Sequence, residues 1–134
     1  MGSTDSIADF LTIIRNASRA KKDKLDCPSS KMREHLAGIF KKCGYIKNYR
    51  RMQDSKQGML RIYLKYSSSK DQKPAITNLK RVSKPGLRRY VSADKIPSVL
   101  GGLGMAVIST SKGVFTDKEC KDEKVGGEVI CYIW

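Results

Sequence analysis

Three consecutive hydroxyls followed by a lysine and a glycine, Ser109, Thr110, Ser111, Lys112 and Gly113, are the residues of this chain best suited to handle a ligand. Hydroxyls both donate and accept hydrogen bonds. Lysine adds a point charge, and glycine lets the backbone turn or approach a ligand closely. Together they suit a surface loop that grips a polyanion and reads polar edges. A plain hairpin turn with solvated serines is the other reading of the same five residues. They lie within residues 101–117, GGLGMAVISTSKGVFTD, where Gly101, Gly102 and Gly104 precede the apolar run Met105, Ala106, Val107 and Ile108. An apolar run bounded by glycines predicts a buried strand. The hydroxyls then fall where that strand leaves the core and turns.

Two nucleotide-binding motifs are excluded. A mononucleotide phosphate loop needs Gly-Lys-Ser/Thr opening a helix, whereas here the lysine precedes the glycine and Val114-Phe115 follows. The dinucleotide fingerprint also fails, because Gly102 and Gly104 are followed three residues on by Val107. A lone histidine, scattered cysteines and the lack of paired carboxylates on one element leave little for acid–base or nucleophilic chemistry. The expectation is a protein that is no enzyme and uses no cofactor, metal or small-molecule substrate.

The charge points the same way. The chain has 134 residues, 27 Lys and Arg against 13 Asp and Glu, and a net charge of +14. Such an excess indicates a polyanionic partner, either nucleic acid or an anionic membrane surface. It is spread along the chain rather than held in a basic tail. No apolar stretch approaches the ~20 residues of a membrane span. The start, MGSTDSIADF, lacks the basic head and apolar run of a signal peptide. Gly2 and Ser6 match the lipidation pattern only in its short, common part, so an unmodified start is expected. Cys27, Cys43, Cys120 and Cys131 include no Cys-x-x-Cys knuckle, which predicts reduced thiols in a cytoplasmic protein. His35 has no second histidine and is expected at a surface or boundary.

The elements that must position these groups follow from periodicity. Ile7, Phe10, Leu11 and Ile14 fit one face of a helix over residues 6–18, capped by Thr4 or Asp5. Arg15, Asn16 and Arg19 fall near its end, where a role at the helix dipole competes with nucleic-acid contact. Residues 22–27 predict a short strand stopped by Pro28. Ser29 or Ser30 caps a second helix, with Met32, Leu36, Ile39, Phe40 and Cys43 buried and Gly44 as its stop. Lys31 and Arg33 mark its exposed start, where free amides welcome anions. Residues 45–52 and 59–66 alternate as a β-hairpin. Residues 67–74, SSSKDQKP, read as a linker.

Beyond it, residues 75–83 predict a strand, Pro85-Gly86 a turn and residues 87–91 another strand. The ten residues from Lys80, KRVSKPGLRR, hold five cations, among them Lys80, Arg81, Lys84 and Arg88, and Tyr90 follows directly. Cations beside an aromatic serve both phosphate and base, and that reading is preferred to a solvated face. Residues 94–100 predict one helical turn. Thr116 or Asp117 caps a short helix running through Lys121. After Gly126 and Gly127 comes a last strand over residues 128–134, buried on both faces, that opens with Glu128. A carboxylate there either accepts from base amino groups or simply balances charge. The expected fold class is α+β: two small packed lobes, α-β-α-β-β over residues 1–66 and mostly β with short helices over residues 75–134.

GLGMAVISTSKGVFTD with the terminal GGEVICYIW, DSIADFLTIIRNA at 5–17 and RVSKPGLRRY at 81–90 together resemble the bacterial-type small-subunit ribosomal protein eight family over nearly the whole chain. The resemblance implies two lobes that bind the central domain of small-subunit ribosomal RNA early in assembly. It implies that Ser109, Thr110, Ser111, Lys112 and Gly113 contact an irregular internal loop. Glu128, after Gly126 and Gly127, is implied to lie beside them. Tyr90 matches the family's tyrosine after Gly-Leu-Arg, and Lys31 and Asn16 fall where the first lobe reaches RNA. Neighbouring small-subunit ribosomal proteins are implied partners. The implied location is the ribosome, in the cytoplasm, with an organellar ribosome as the alternative. One departure is Ser6, where the family usually has proline before Ile-Ala-Asp. The rivals are a general or architectural nucleic-acid binder and a small enzyme acting on RNA.

Overall fold

The computed structural model describes residues 5–134. Thr4 as a cap and Gly2 as a lipidation point lie outside the described residues. The elements run α1 (Ser6–Arg19), β1 (Lys24–Pro28), α2 (Lys31–Lys42), β2 (Ile46–Met52), β3 (Met59–Leu64), β4 (Leu79–Arg81), β5 (Tyr90–Val91), β6 (Met105–Thr110), β7 (Gly113–Thr116), α3 (Asp117–Glu123) and β8 (Gly127–Ile133). Three helices and two antiparallel sheets make an α+β fold. The chain divides into two compact units, one of residues 9–77 and one of residues 78–134 with the first described residues.

In the N-terminal unit the strands are ordered β1-β3-β2. Asp5 caps α1 by accepting from the Ala8 N–H at 3.1 Å. The predicted stripe is buried: Phe10, Leu11, Ile14, Leu36 and Phe40 join Leu60 and Ile62 from the middle strand. Fully burying side chains of this size stabilises by about 1.5–3 kcal/mol each. Ser30 caps α2 by accepting from the Arg33 N–H. Three residues in or capping α2 depart from expectation, the first being Met32, which is half-buried. Cys43 is exposed, because it sits just past the last turn as the C-cap. Arg33 is buried rather than exposed, with its guanidinium over the Phe10 ring and Nη1 donating to Pro28 O. An arginine stem buries well, and its planar head stacks on an aromatic face. His35 is exposed.

Residues 67–74 do not extend as a connector. Tyr66 bridges Pro74, Ser67 N–H donates to Lys73 O, and Lys73 N–H donates to Ser67 Oγ. The predicted strand over 75–83 is split for the same reason. Ala75 N–H donates to Lys65 O, so the segment's beginning pairs backwards. Only from Asn78 onward does it bond with residues of the last strand.

In the C-terminal unit the order is β4-β8-β6-β7, with β5 also pairing β8. Val99, Ala106, Ile108, Cys120 and Val129 form its core, flanked by Phe115, Tyr132 and Trp134. The last strand is buried on both faces, at Val129, Ile130, Cys131 and Ile133. Cys27, Cys120 and Cys131 are buried free thiols, and burial pushes the Cys131 thiol up to about 12. Thr116 begins α3 with a reciprocal capping box: its Oγ1 accepts from Glu119 N–H, and the Glu119 carboxylate accepts from Thr116 N–H. The helix runs to Glu123, two residues beyond expectation, and its C-cap Lys124 is left-handed. Residues 93–102 contain two single 3-10 turns, Ala93–Lys95 and Leu100–Gly102, instead of one helical turn. The predicted second strand of the basic run shrinks to Tyr90–Val91, because Lys84 and Leu87 close a tight turn on each other.

Candidate nucleic-acid interface

The apolar stretch forms β6, and the chain then doubles back at once through Ser111 and Lys112 into β7. Gly113 takes φ +132, a conformation side chains rarely adopt. The three hydroxyls separate into two kinds. Thr110 Oγ1 donates to Gly113 O at 2.8 Å and accepts from Lys112 N–H at 3.1 Å. It braces the turn. Ser109 and Ser111 have no side-chain partner among the described residues, so their hydroxyls are uncommitted. Ser111 and Lys112 are exposed, and Ser109 is half-buried.

Strand register extends this site sideways. On β8, Glu128 lies directly opposite Ser109 of β6 and directly opposite Tyr90 of β5. Opposed residues of an antiparallel pair share a face, so Tyr90, Glu128 and Ser109 form one row. At about 4.8 Å per strand the row spans roughly 10 Å. The two glycines before Glu128 make this possible. A Cβ on Gly126 would lie 2.3 Å from Val91 O, and one on Gly127 would lie 2.1 Å from Ser109 O. Gly127 therefore serves by close backbone approach rather than by any side chain.

Next to the row is a groove of about 470 Å³ lined by Lys80, Lys84, Arg89 and Tyr90, with Val82 and Tyr132 among its apolar walls. Tyr90 is 69% exposed. The side chains of Lys80, Lys84 and Arg89 are exposed and unpaired among the described residues. Arg89 is the cation that motif reading passes over, although it stands in the same basic run. Arg88 reaches Glu128 at 3.0 Å and keeps half its side chain in solvent.

Arg81 also lines this groove, but its side chain is only 8% exposed, paired with Asp5 at 3.0 Å and donating to Ile130 O, so its guanidinium is committed inside its unit. Ser83 escapes sequence reasoning altogether. It is fully buried, and its hydroxyl donates to Glu128 while accepting from Arg89 N–H. A single serine inside a basic run carries no periodic or motif signal. Asn16 and Lys31 are exposed in the N-terminal unit and do not belong to this row. No group of three or more His, Cys, Asp or Glu among the described residues could hold a metal ion, and no described helix is long and apolar enough to cross a membrane.

Free hydroxyls at a turn, a cationic groove and an exposed tyrosine on a small α+β scaffold define a basic polyanion-binding protein. The profile of the family described as Ribosomal protein S8 matches residues 5–134. The chain is 59% identical over 131 residues to the small ribosomal subunit protein uS8 of Moorella thermoacetica, covering 98% of this chain and 99% of that protein. It is 54% identical over 134 residues to that of Desulforamulus reducens, with both chains covered in full. It is 56% identical over 131 residues to that of Thermodesulfovibrio yellowstonii, covering 98% of each. The chain belongs to the ribosomal protein S8 family, whose members are structural constituents of the ribosome and not enzymes.

Proposed function

We propose that this protein binds the central domain of small-subunit ribosomal RNA and helps that domain assemble for translation, working in the cytoplasm beside neighbouring small-subunit ribosomal proteins. The observation that carries the reading is the division among the hydroxyls. Thr110 holds the turn while Ser109 and Ser111 stay uncommitted beside unpaired lysines. A-form RNA hides its major groove, so proteins read shape, 2′-hydroxyls and displaced bases. Lys80, Lys84, Arg89 and Lys112 supply charge to phosphates without regard to sequence. Ser109 and Ser111 supply small donors and acceptors to a distorted internal loop, and Tyr90 offers a stacking face.

The test is capture of bound RNA from a cell lysate, followed by sequencing. One dominant segment within the central domain supports the reading. An even spread over cellular RNA, with equal binding to duplex DNA at matched salt, would instead make this a general nucleic-acid binder.

A further inference from the structure

We propose that the N-terminal unit takes an extended acidic segment of another protein as a fourth strand beside β1, at a site separate from the RNA-reading row. β1 is an outer strand of its three-stranded sheet, bonded only to β3. The bonds at its two ends fix which backbone groups face away. Leu64 N–H donates to Asp23 O, and Ser29 N–H donates to Gly58 O, both at 2.9 Å and both continuing the β1–β3 register. Bonded pairs alternate along an antiparallel ladder. Leu25 and Cys27 therefore exchange bonds with β3, while Lys24 and Asp26 turn their N–H and C=O groups outward. The outward positions on either side are closed. Lys22 N–H donates to Ala17 O, and Lys22 O accepts from the Tyr66 hydroxyl. Pro28 has no N–H, and its O accepts from Arg33 Nη1. The open edge is thus two residues long, with a donor and an acceptor on each, about 7 Å apart. An added polypeptide strand matches that repeat through main-chain bonds. A phosphate could take the N–H groups, but the carbonyl oxygens beside them would repel it.

A groove of about 570 Å³ runs between this strand and α1. Ile13, Ala17 and Ala20 line its helix side, at the spacing of one helical face. The two alanines keep the helix surface low where bulkier side chains would fill the space. In an added strand, the residue opposite Leu25 shares its face and meets these apolar groups. The residue opposite Lys24 lies on the other face, with the lysine. Lys22 and Lys24 are exposed, and neither side chain has a partner among the described residues. Asp26 is already neutralised by two bonds from Arg61, at 2.8 and 3.0 Å. The unmet charge along the edge is positive, so its complement is an apolar residue flanked by an acidic one. A second copy of this chain, at net charge +14, is repelled where an acidic segment is attracted.

The test uses the full chain and the blocked peptide acetyl-Thr-Val-Glu-Val-Glu-amide. Laid antiparallel to β1, it sets threonine opposite Asp26, valine opposite Leu25 and its glutamates opposite Lys24 and Lys22. In NMR of the wild-type chain, the Lys24 and Asp26 amides should shift saturably and exchange hydrogen more slowly. Leu25 and Cys27, already bonded to β3, should keep their exchange rates. Replacing both glutamates of the peptide by glutamine should weaken binding about tenfold, the loss expected for two exposed ion pairs. Ala20→Leu fills the groove from an exposed helix position, so the melting midpoint should hold while the shifts vanish. Absence of any saturable shift at Lys24 and Asp26 overturns the proposal, as do shifts confined to the cationic groove of the C-terminal unit. Equal binding of the glutamine peptide, or full binding by Ala20→Leu, overturns it as well. A transcript of the central domain that shifts the same two amides without peptide would give the edge to RNA instead. A concentration-dependent shift of the chain alone would give it to a second copy, and either result refutes the acidic partner.

Discussion

Ser83 Oγ donates to Glu128 Oε2 at 2.5 Å, and the same carboxylate oxygen accepts from Arg88 Nη1 at 3.0 Å. The Ser83 hydroxyl also accepts from Arg89 N–H, and its own N–H donates to Val129 O. One buried serine thus ties both ends of the basic turn to β8. Glu128 acts on this turn directly, holding Arg88 beside the groove rather than merely lowering the net charge.

Ser83→Ala should therefore be costly despite its small size. It leaves the part-buried Arg89 N–H without its acceptor, at about 1 kcal/mol. Urea unfolding should show a lower midpoint with an unchanged slope. RNA affinity should drop with it, because Lys84, Arg88 and Arg89 lose their common anchor. A midpoint equal to wild type would mean that the turn is held by something other than this hydroxyl.

Glycine substitutions should divide sharply by position. Gly127→Ala and Gly126→Ala drive a Cβ into backbone atoms, Ser109 O and Val91 O, which cannot swing aside as a side chain could. Overpacking of this kind typically costs about 1–3 kcal/mol, and a backbone clash belongs at the upper end. Gly86→Ala meets nothing within 4 Å, so it should stay within about 0.5 kcal/mol of wild type. Thermal midpoints of the three variants decide the matter. Gly86→Ala proving as harmful as Gly127→Ala would contradict the packing described.

What was legible in the chain follows from which signals are local. The stripe of Phe10, Leu11 and Ile14, the Ser30 cap and the Thr116 capping box are written in residues a few positions apart, and each stands where periodicity and capping rules put it. Arg81 and Ser83 were illegible because their partners are far along the chain: Asp5 and Ile130 for one, Glu128 for the other. The same distance hides the row of Tyr90, Glu128 and Ser109, which only strand register creates. The internal bonding of residues 67–74 was hidden for a different reason. Their composition is that of a loop, and polarity does not distinguish an open connector from one closed by its own serines.

Acid should weaken the Asp5–Arg81 tie. Burial pushes the Asp5 carboxyl up, but hydrogen bonds from Arg81 and the Ala8 and Ile7 N–H groups, with the charge of Arg81, outweigh it. The net position is below the usual 3.8. A carboxylate that ionises more readily folded than unfolded contributes stability at pH values above the unfolded pKa. That contribution is lost as pH falls through the folded one. Asp5→Asn should hence be less stable than wild type near neutrality by about 1.5–3 kcal/mol, the range for a hydrogen bond to a charged group. The two proteins should converge as the pH drops below 3.8. A gap that stays constant down to the acid limit would show that the carboxylate's charge contributes nothing.

The hydroxyls at the β6–β7 turn should separate structure from recognition. Thr110→Ala removes the acceptor for Lys112 N–H and the donor to Gly113 O, so the turn loosens. The expected cost is about 1 kcal/mol, with weaker binding to every RNA tested. Ser109→Ala/Ser111→Ala removes groups that bond to nothing among the described residues, so the unfolding midpoint should stay where it is. Its effect should appear only as lost preference for a central-domain fragment with an irregular internal loop over plain duplex of equal length. Lys84→Ala should do the reverse, weakening both RNAs alike and lowering the salt slope by about 1. The three patterns differ in kind, so competition binding at two salt concentrations with one melt per variant distinguishes them. If the double serine variant keeps the full preference for the irregular loop, the reading element lies elsewhere on the row, and the exposed Tyr90 ring is the group to test next.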